Sequence, residues 1–386
     1  MKKALLLIVA VLSGCAVLNA APLPQVKLIH SGVICDTIVD ALAPGSMVID
    51  ANGDYLLTFQ DQGDNSPSAK TYLVRSKDHG KTWSKPEVIM IPEHGKQGAS
   101  AGICNIPGST DLMLIVCKID YDSDTLNQFA WKTRIGKLEL YRTTDGKDRE
   151  LVATLRQPKD AMASPMGCLT RLANGDLVLP AYIYNYGTNR VPGEIYGSGW
   201  YRSTDNGKTW GDFELVFKDQ PPAGERPYLF TESAFVSRPD GLIVGVARHD
   251  TRKPKMQYRV FSSDFGKTWT LPEKTDHPCV DIPLITKLED DKGYLMVGGN
   301  CGIYLRTVTF FWSKDGISWQ KISEAFYQPD NRHTPMNSAT GGCQSLVKGP
   351  GKHQYFVAFY AHDPKLPGRH KTRIEGNMVE LVFPEK

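Results

Sequence analysis

The sequence predicts an all-β chain folded as a six-bladed β-propeller, and three observations carry that prediction. A turn motif recurs as SKDHGKTW at 76–83, STDNGKTW at 203–210, SSDFGKTW at 262–269 and, shortened, SKDGISW at 313–319, with a degenerate copy, RTTDGKD, around Asp145. A second pattern, an apolar strand, a turn and another apolar strand, appears six times out of phase with the first, with turn glycines at 53, 108, 175, 241, 293 and 351. The strands are rich in β-branched and aromatic residues, and no stretch keeps a helical period.

Taken in chain order, the N-terminus stands apart from the repeats. Lys2 and Lys3 precede the apolar run 4–12, the pattern of a secretory signal, so residues 1–20 are expected to direct export to the periplasm, the cell surface or the medium. Leu12-Ser13-Gly14-Cys15 resembles a lipobox, which would attach the chain to a membrane through a lipidated Cys15; a cut near Ala20-Ala21 is the alternative. One propeller domain is expected over 23–386. The strand pairs are 46–59, 101–116, 167–182, 233–247, 283–298 and 343–360, and five are followed by the Asp-containing turn, giving four strands per unit. The sixth unit lacks that turn; it is expected to use 376–384 and to be completed by 25–33, which closes the ring. Longer inserts at 119–136, 183–199 and 361–375 are candidate loops.

In each turn motif the residue types have physical jobs. Asp78, Asp205 and Asp264 accept backbone N–H bonds, the glycine two positions later supplies a positive φ, and Trp83, Trp210 or Trp269 packs beneath. Composition is that of an ordinary globular protein, 41% hydrophobic and 23% charged. Basic residues number 45 against 42 acidic, and 43 against 42 without Lys2 and Lys3, which argues against a nucleic-acid partner. The eight cysteines show no metal-ligand spacing and read mostly as buried thiols; Cys104 and Cys117 flank one turn, a poor geometry for a disulfide. No metal or organic cofactor is implied, and the oligomeric state is not readable.

With these motifs the chain resembles the sialidase superfamily, whose six-bladed propellers carry such turns as Asp boxes. The resemblance spans essentially the whole mature chain, and it implies acidic, sialylated glycans as partners. Releasing a terminal sialic acid takes cations to clamp a carboxylate, an acid for the leaving oxygen, and a nucleophile or activated water. In the stretch TESAFVSRPDGLIVGVARHD at 231–250, Glu232 and Arg248 match the family's catalytic glutamate and a clamp arginine. Arg306, ahead of the box at 313–319, matches a further clamp arginine, and Asp64 in TFQDQGDNSPS, with Asp61 as its neighbour, matches the acid. The competing structural roles are a solvated loop carboxylate for Glu232 and Asp64, a blade-to-blade salt bridge for Arg248 and a strand-edge arginine for Arg306. His249 adjoins Arg248, but successive strand residues face opposite ways.

Two departures stand out. Segment 41–49 has no arginine where the family has its first, and Arg75, next to a box, is expected on an outer strand. Segment 340–346, TGGCQSL, has Cys343 or Gln344 where the family has its tyrosine nucleophile. The expectation is therefore an exo-acting sialidase of divergent mechanism, with Glu232 activating water or Tyr184 or Tyr186 replacing the tyrosine. The alternatives are an enzyme acting on another acidic sugar and a non-catalytic glycan-binding lipoprotein using Trp131, Tyr184, Tyr186 and Trp200 as stacking platforms.

Overall fold

A computed structural model describes residues 22–61, 69–93, 97–121, 134–158, 162–165, 169–184, 197–218, 230–249, 256–278, 280–300, 307–327, 345–368 and 371–385. The chain opens with β1 (Gln25–Cys35). Blade I follows as β2 (Leu42–Ile49), β3 (Tyr55–Gln60), β4 (Thr71–Ser76) and β5 (Glu87–Met90). Blade II comprises β6 (Gln97–Asn105), β7 (Leu112–Tyr121), β8 (Arg134–Thr143) and β9 (Arg149–Leu155). In blade III the inner strand is split into β10 (Met162–Pro165) and β11 (Thr170–Arg171), both paired with β12 (Leu177–Tyr184), and β13 (Gly197–Ser203) and β14 (Glu214–Lys218) lie outside it. Blade IV contains β15 (Phe230–Ser237), β16 (Ile243–His249), β17 (Met256–Ser262) and β18 (Glu273–Pro278). Blade V contains β19 (Val280–Lys287), β20 (Tyr294–Asn300), β21 (Val308–Ser313) and β22 (Gln320–Glu324). Blade VI pairs β23 (Ser345–Lys348), β24 (Gln354–His362) and β25 (Thr372–Val382), and β1 completes it.

Ring closure therefore follows the expected plan: Gln25 pairs with Val382 and Cys35 with Ile374 across an antiparallel edge. β24 and β25 run into the insert expected at 361–375 from its two ends, pairing as far as His362 and Thr372, and the described residues 363–368 between them are outside any strand. Five of the six turn glycines have positive φ; in the sixth hairpin His353, at φ 56°, takes that conformation.

Six apolar clusters hold the described residues together, and each lies in the seam between two neighbouring blades. The boxes belong to these seams. In the first, Asp78 Oδ1 accepts the amides of Lys81 and Thr82, Asp78 Oδ2 accepts the Thr82 hydroxyl, Ser76 Oγ accepts the Gly80 amide, and the Trp83 indole donates to the Gly80 carbonyl. The degenerate copy keeps the logic, Asp145 accepting the amides of Lys147 and Asp148. Each box then leans on the preceding blade: Trp83 packs on Phe356 at 5.8 Å and Trp269 on Trp200 at 5.1 Å, while Gly146, Gly207 and Gly316 pack against Leu73, Met113 and Val236. Blade VI has no box. Its seam with blade V instead has Asn377, fully buried, accepting from the Phe326 amide at 2.8 Å and donating to the Phe326 carbonyl at 2.9 Å.

The boxes and the hairpins between first and second strands share one face of the ring, the box face. The starts of the inner strands share the other. Arg75 lies on the box side of β4, paired with Asp50 and with Asp54 at 2.8 Å, far from the axis as expected. Cys104 and Cys117 are buried thiols; across the β6–β7 pair Cys104 faces Met113 and Cys117 faces Ser100, so no bridge joins them.

Candidate active site at the inner strand ends

The inner strands leave a channel of about 290 Å³ along the ring axis, lined by residues that include Ser233, Thr170, Leu284, Asn105 and Lys348. Glu232 immediately precedes Ser233 on the face opposite the boxes and does not itself line this channel. Its side chain is turned by a bulge in β15: Phe230 pairs with His249 and Ser233 with Ala247, so Thr231 and Glu232 together oppose Arg248. Arg248 Nη1 donates to both carboxyl oxygens of Glu232, at 3.0 and 2.9 Å, with 13% and 12% of the two side chains exposed. Two residues picked from one sequence stretch thus meet in space.

A second bulge completes the arrangement. In β19, Asp281 pairs with Gly299 and Leu284 with Val297, leaving Ile282 and Pro283 opposite one residue. The Ile282 amide donates to Glu232 Oε2 at 3.1 Å, and Ile282 has φ 42°, a strained conformation for a β-branched residue. Asp281, 2% exposed, lies beside it. Burial pushes the Glu232 carboxyl above the usual carboxylate range; the Arg248 charge opposes this and the Asp281 charge adds to it. A carboxyl raised in this way is a stronger base than an ordinary carboxylate.

His249 is 2% exposed and packs between Phe230 and Tyr258, at 5.5 and 5.1 Å, on the other face of β16. Asp61 accepts the Lys70 amide at 2.8 Å and the Tyr72 hydroxyl at 3.2 Å, which closes its own loop. Asp64 and Arg306 lie outside the described residues, as do Trp131, Tyr186, Cys343 and Gln344. Trp200 corrects the stacking expectation: it is fully buried in the seam between blades III and IV, its indole donating to Glu214 at 2.8 Å, so no ligand can stack on it. Asp281 went unnoticed in the sequence because no motif surrounds it; the alternation before the apolar strand 283–287 was its only signal.

Solved structures share this architecture over nearly the whole chain. A protein of unknown function from Dyadobacter fermentans superposes with a TM-score of 0.67 at 19% identity, over 93% of this chain and 100% of that one. The Hadza microbial sialidase Hz136 gives 0.65 at 13% identity, over 92% of this chain and 68% of that one. This is a sialidase-like six-bladed propeller. The same propeller is shared by the α-L-arabinanase of Penicillium chrysogenum, solved with arabinobiose, with a TM-score of 0.59 at 17% identity over 92% of this chain and 98% of that one. No protein-family model and no curated protein matches the chain.

Proposed function

We propose that the propeller is an exo-acting glycoside hydrolase that releases a terminal acidic sugar, sialic acid foremost, from glycoconjugates such as mucin glycans. The observation that carries this reading is the buried Glu232–Arg248 pair at the inner strand ends, together with the raised carboxyl. Burying such a pair is a poor way to stabilise a fold, whereas hydrolysis needs a carboxylate and a cation held together. Arg248, with Arg306, clamps the substrate carboxylate, the planar guanidinium fork matching it. Glu232 takes a proton from water, the water oxygen bonds to the anomeric carbon as the bond to the leaving oxygen breaks, and Asp64 gives that oxygen a proton. Export by the N-terminal signal, with or without a lipid on Cys15, brings the enzyme to glycans outside the cytoplasm.

Two observations favour a second reading, hydrolysis of a neutral sugar. Arg248 already holds Glu232, and an arabinanase shares the fold. The test is chromatography of sugars released from sialyllactose, mucin, a uronate-bearing glycan and arabinan. Free sialic acid is expected from the wild type and not from Glu232→Gln or Arg248→Ala; arabinose alone would establish the neutral reading. Binding to these glycans with no release would leave a surface glycan receptor. A nuclear magnetic resonance time course should show the inverted anomer first, and retention would exclude direct attack by water.

A further inference from the structure

Near its start, β19 carries an isoleucine where glycine would serve the backbone better. Ile282 has φ 42°, and for a β-branched residue that region is a steric outlier, kept only where the surroundings impose it. Glycine takes such a φ without a clash, and its amide would donate to Glu232 Oε2 equally well. An aliphatic side chain makes no hydrogen bond, so any bond of the Ile282 main chain is likewise open to glycine. Core packing does not call for the side chain either. Val280, Asp281, Pro283 and Leu284 are buried, whereas Ile282 between them is partly exposed. Among the described residues Val280 packs in the seam between blades IV and V and Pro283 and Leu284 line the axial channel; Ile282 belongs to neither group.

What distinguishes Ile282 is its place. Its nitrogen lies 3.1 Å from Glu232 Oε2, and its Cβ is two bonds from that nitrogen, so the side chain starts within about 6 Å of the carboxyl. We propose that Ile282 is a substrate-contacting residue: its side chain is the apolar surface on which a C–H face of the sugar ring held at Glu232 packs. The proposal rests on the hydrolase reading only for where the sugar sits. A sugar ring carries its hydroxyls around the rim and C–H groups on its faces, and covering one such face with an aliphatic group removes both from water. The contact therefore selects which face of the ring turns towards β19, while Arg248 and Glu232 act on its polar groups. It works for an acidic sugar and for a neutral one. It also accounts for an isoleucine at a strained, partly exposed position, since strain is retained where a site needs the residue that bears it.

The test uses the full chain labelled with carbon-13 at the isoleucine δ1 methyls, with Ile282→Val to assign the signal. Sialic acid, glucuronic acid and arabinose, which hydrolysis does not consume, are added in turn. Through-space magnetisation transfer from the Ile282 methyl to the ring protons of at least one of them is expected. The affinity for that sugar should fall about tenfold in Ile282→Gly and stay within about twofold in Ile282→Val. Ile282→Gly should unfold at no lower a temperature than the wild type, because the strain is gone, whereas a residue kept for packing would lower the midpoint. Binding without transfer, undiminished affinity in Ile282→Gly, or binding of none of the three sugars overturns the proposal. If Ile282→Gly does not fold, the transfer in the wild type decides alone. Transfer without hydrolysis of any glycoside of that sugar would remove the enzyme reading and leave the contact; hydrolysis without transfer would do the reverse.

Discussion

Glu232 is held from three directions at once: by the bulge in its own strand, by Arg248 on the neighbouring strand and by an amide from the next blade. Replacing Arg248 by alanine leaves a buried carboxylate without its cation and should cost about 3 kcal/mol of stability, read by urea unfolding. Glu232→Gln keeps the shape but leaves the buried Arg248 cation without its anion, so it too should unfold below the wild-type midpoint, while kcat/KM drops at least about 100-fold. Equal activity in the two variants and the wild type would remove the site. Glu232 and Arg248 were legible because one stretch carries both on paired strands. Asp281 was not, because its position depends on how two blades meet, which no local pattern encodes. Trp200 was misread for a related reason: an aromatic residue beside an insert looks exposed until the neighbouring blade covers it.

Each box serves as a staple between consecutive blades, and its acid chemistry follows from its hydrogen bonds. In Asp205 and Asp264 the hydroxyl and then the amide of Thr209 and Thr268 hold the carboxyl at about 2, below the ordinary 3.8. In Asp78 slight burial works the other way, but the bonds from Thr82 outweigh it and the value is again about 2. These are depressed carboxyls, so the stability they contribute is present above 3.8 and is lost as pH falls towards 2. The thermal midpoint should fall steeply over that window, and a triple Asp→Asn variant should start lower and fall less. At the one seam lacking a staple, Asn377→Ala removes both hydrogen bonds to the Phe326 backbone and should cost about 2 kcal/mol in denaturant unfolding. The staples were plain in the sequence because their geometry is local. Asn377 carries no motif, since the two bonds it makes across the seam go to backbone atoms 51 residues away.

At the scale of the whole ring, the repeat made the number of blades and their register readable, and the closing strand followed from the one unit left short. Closure has a mechanical consequence: without β1 the edge of β25 is bare, a template for pairing with other chains. A chain beginning at residue 36 should aggregate or fail to show a single cooperative unfolding transition, by light scattering and circular dichroism; a soluble, cooperative product would mean that the ring tolerates an open edge. β1 also fixes orientation. It enters the fold at Gln25 opposite Val382, on the box face, and climbs to Cys35 on the face where Glu232 lies. Anything fastened ahead of residue 22, whether lipid, linker or another protein, thus grips the molecule from below. The face that carries Glu232 is left facing outward, as a bowl faces away from its stem.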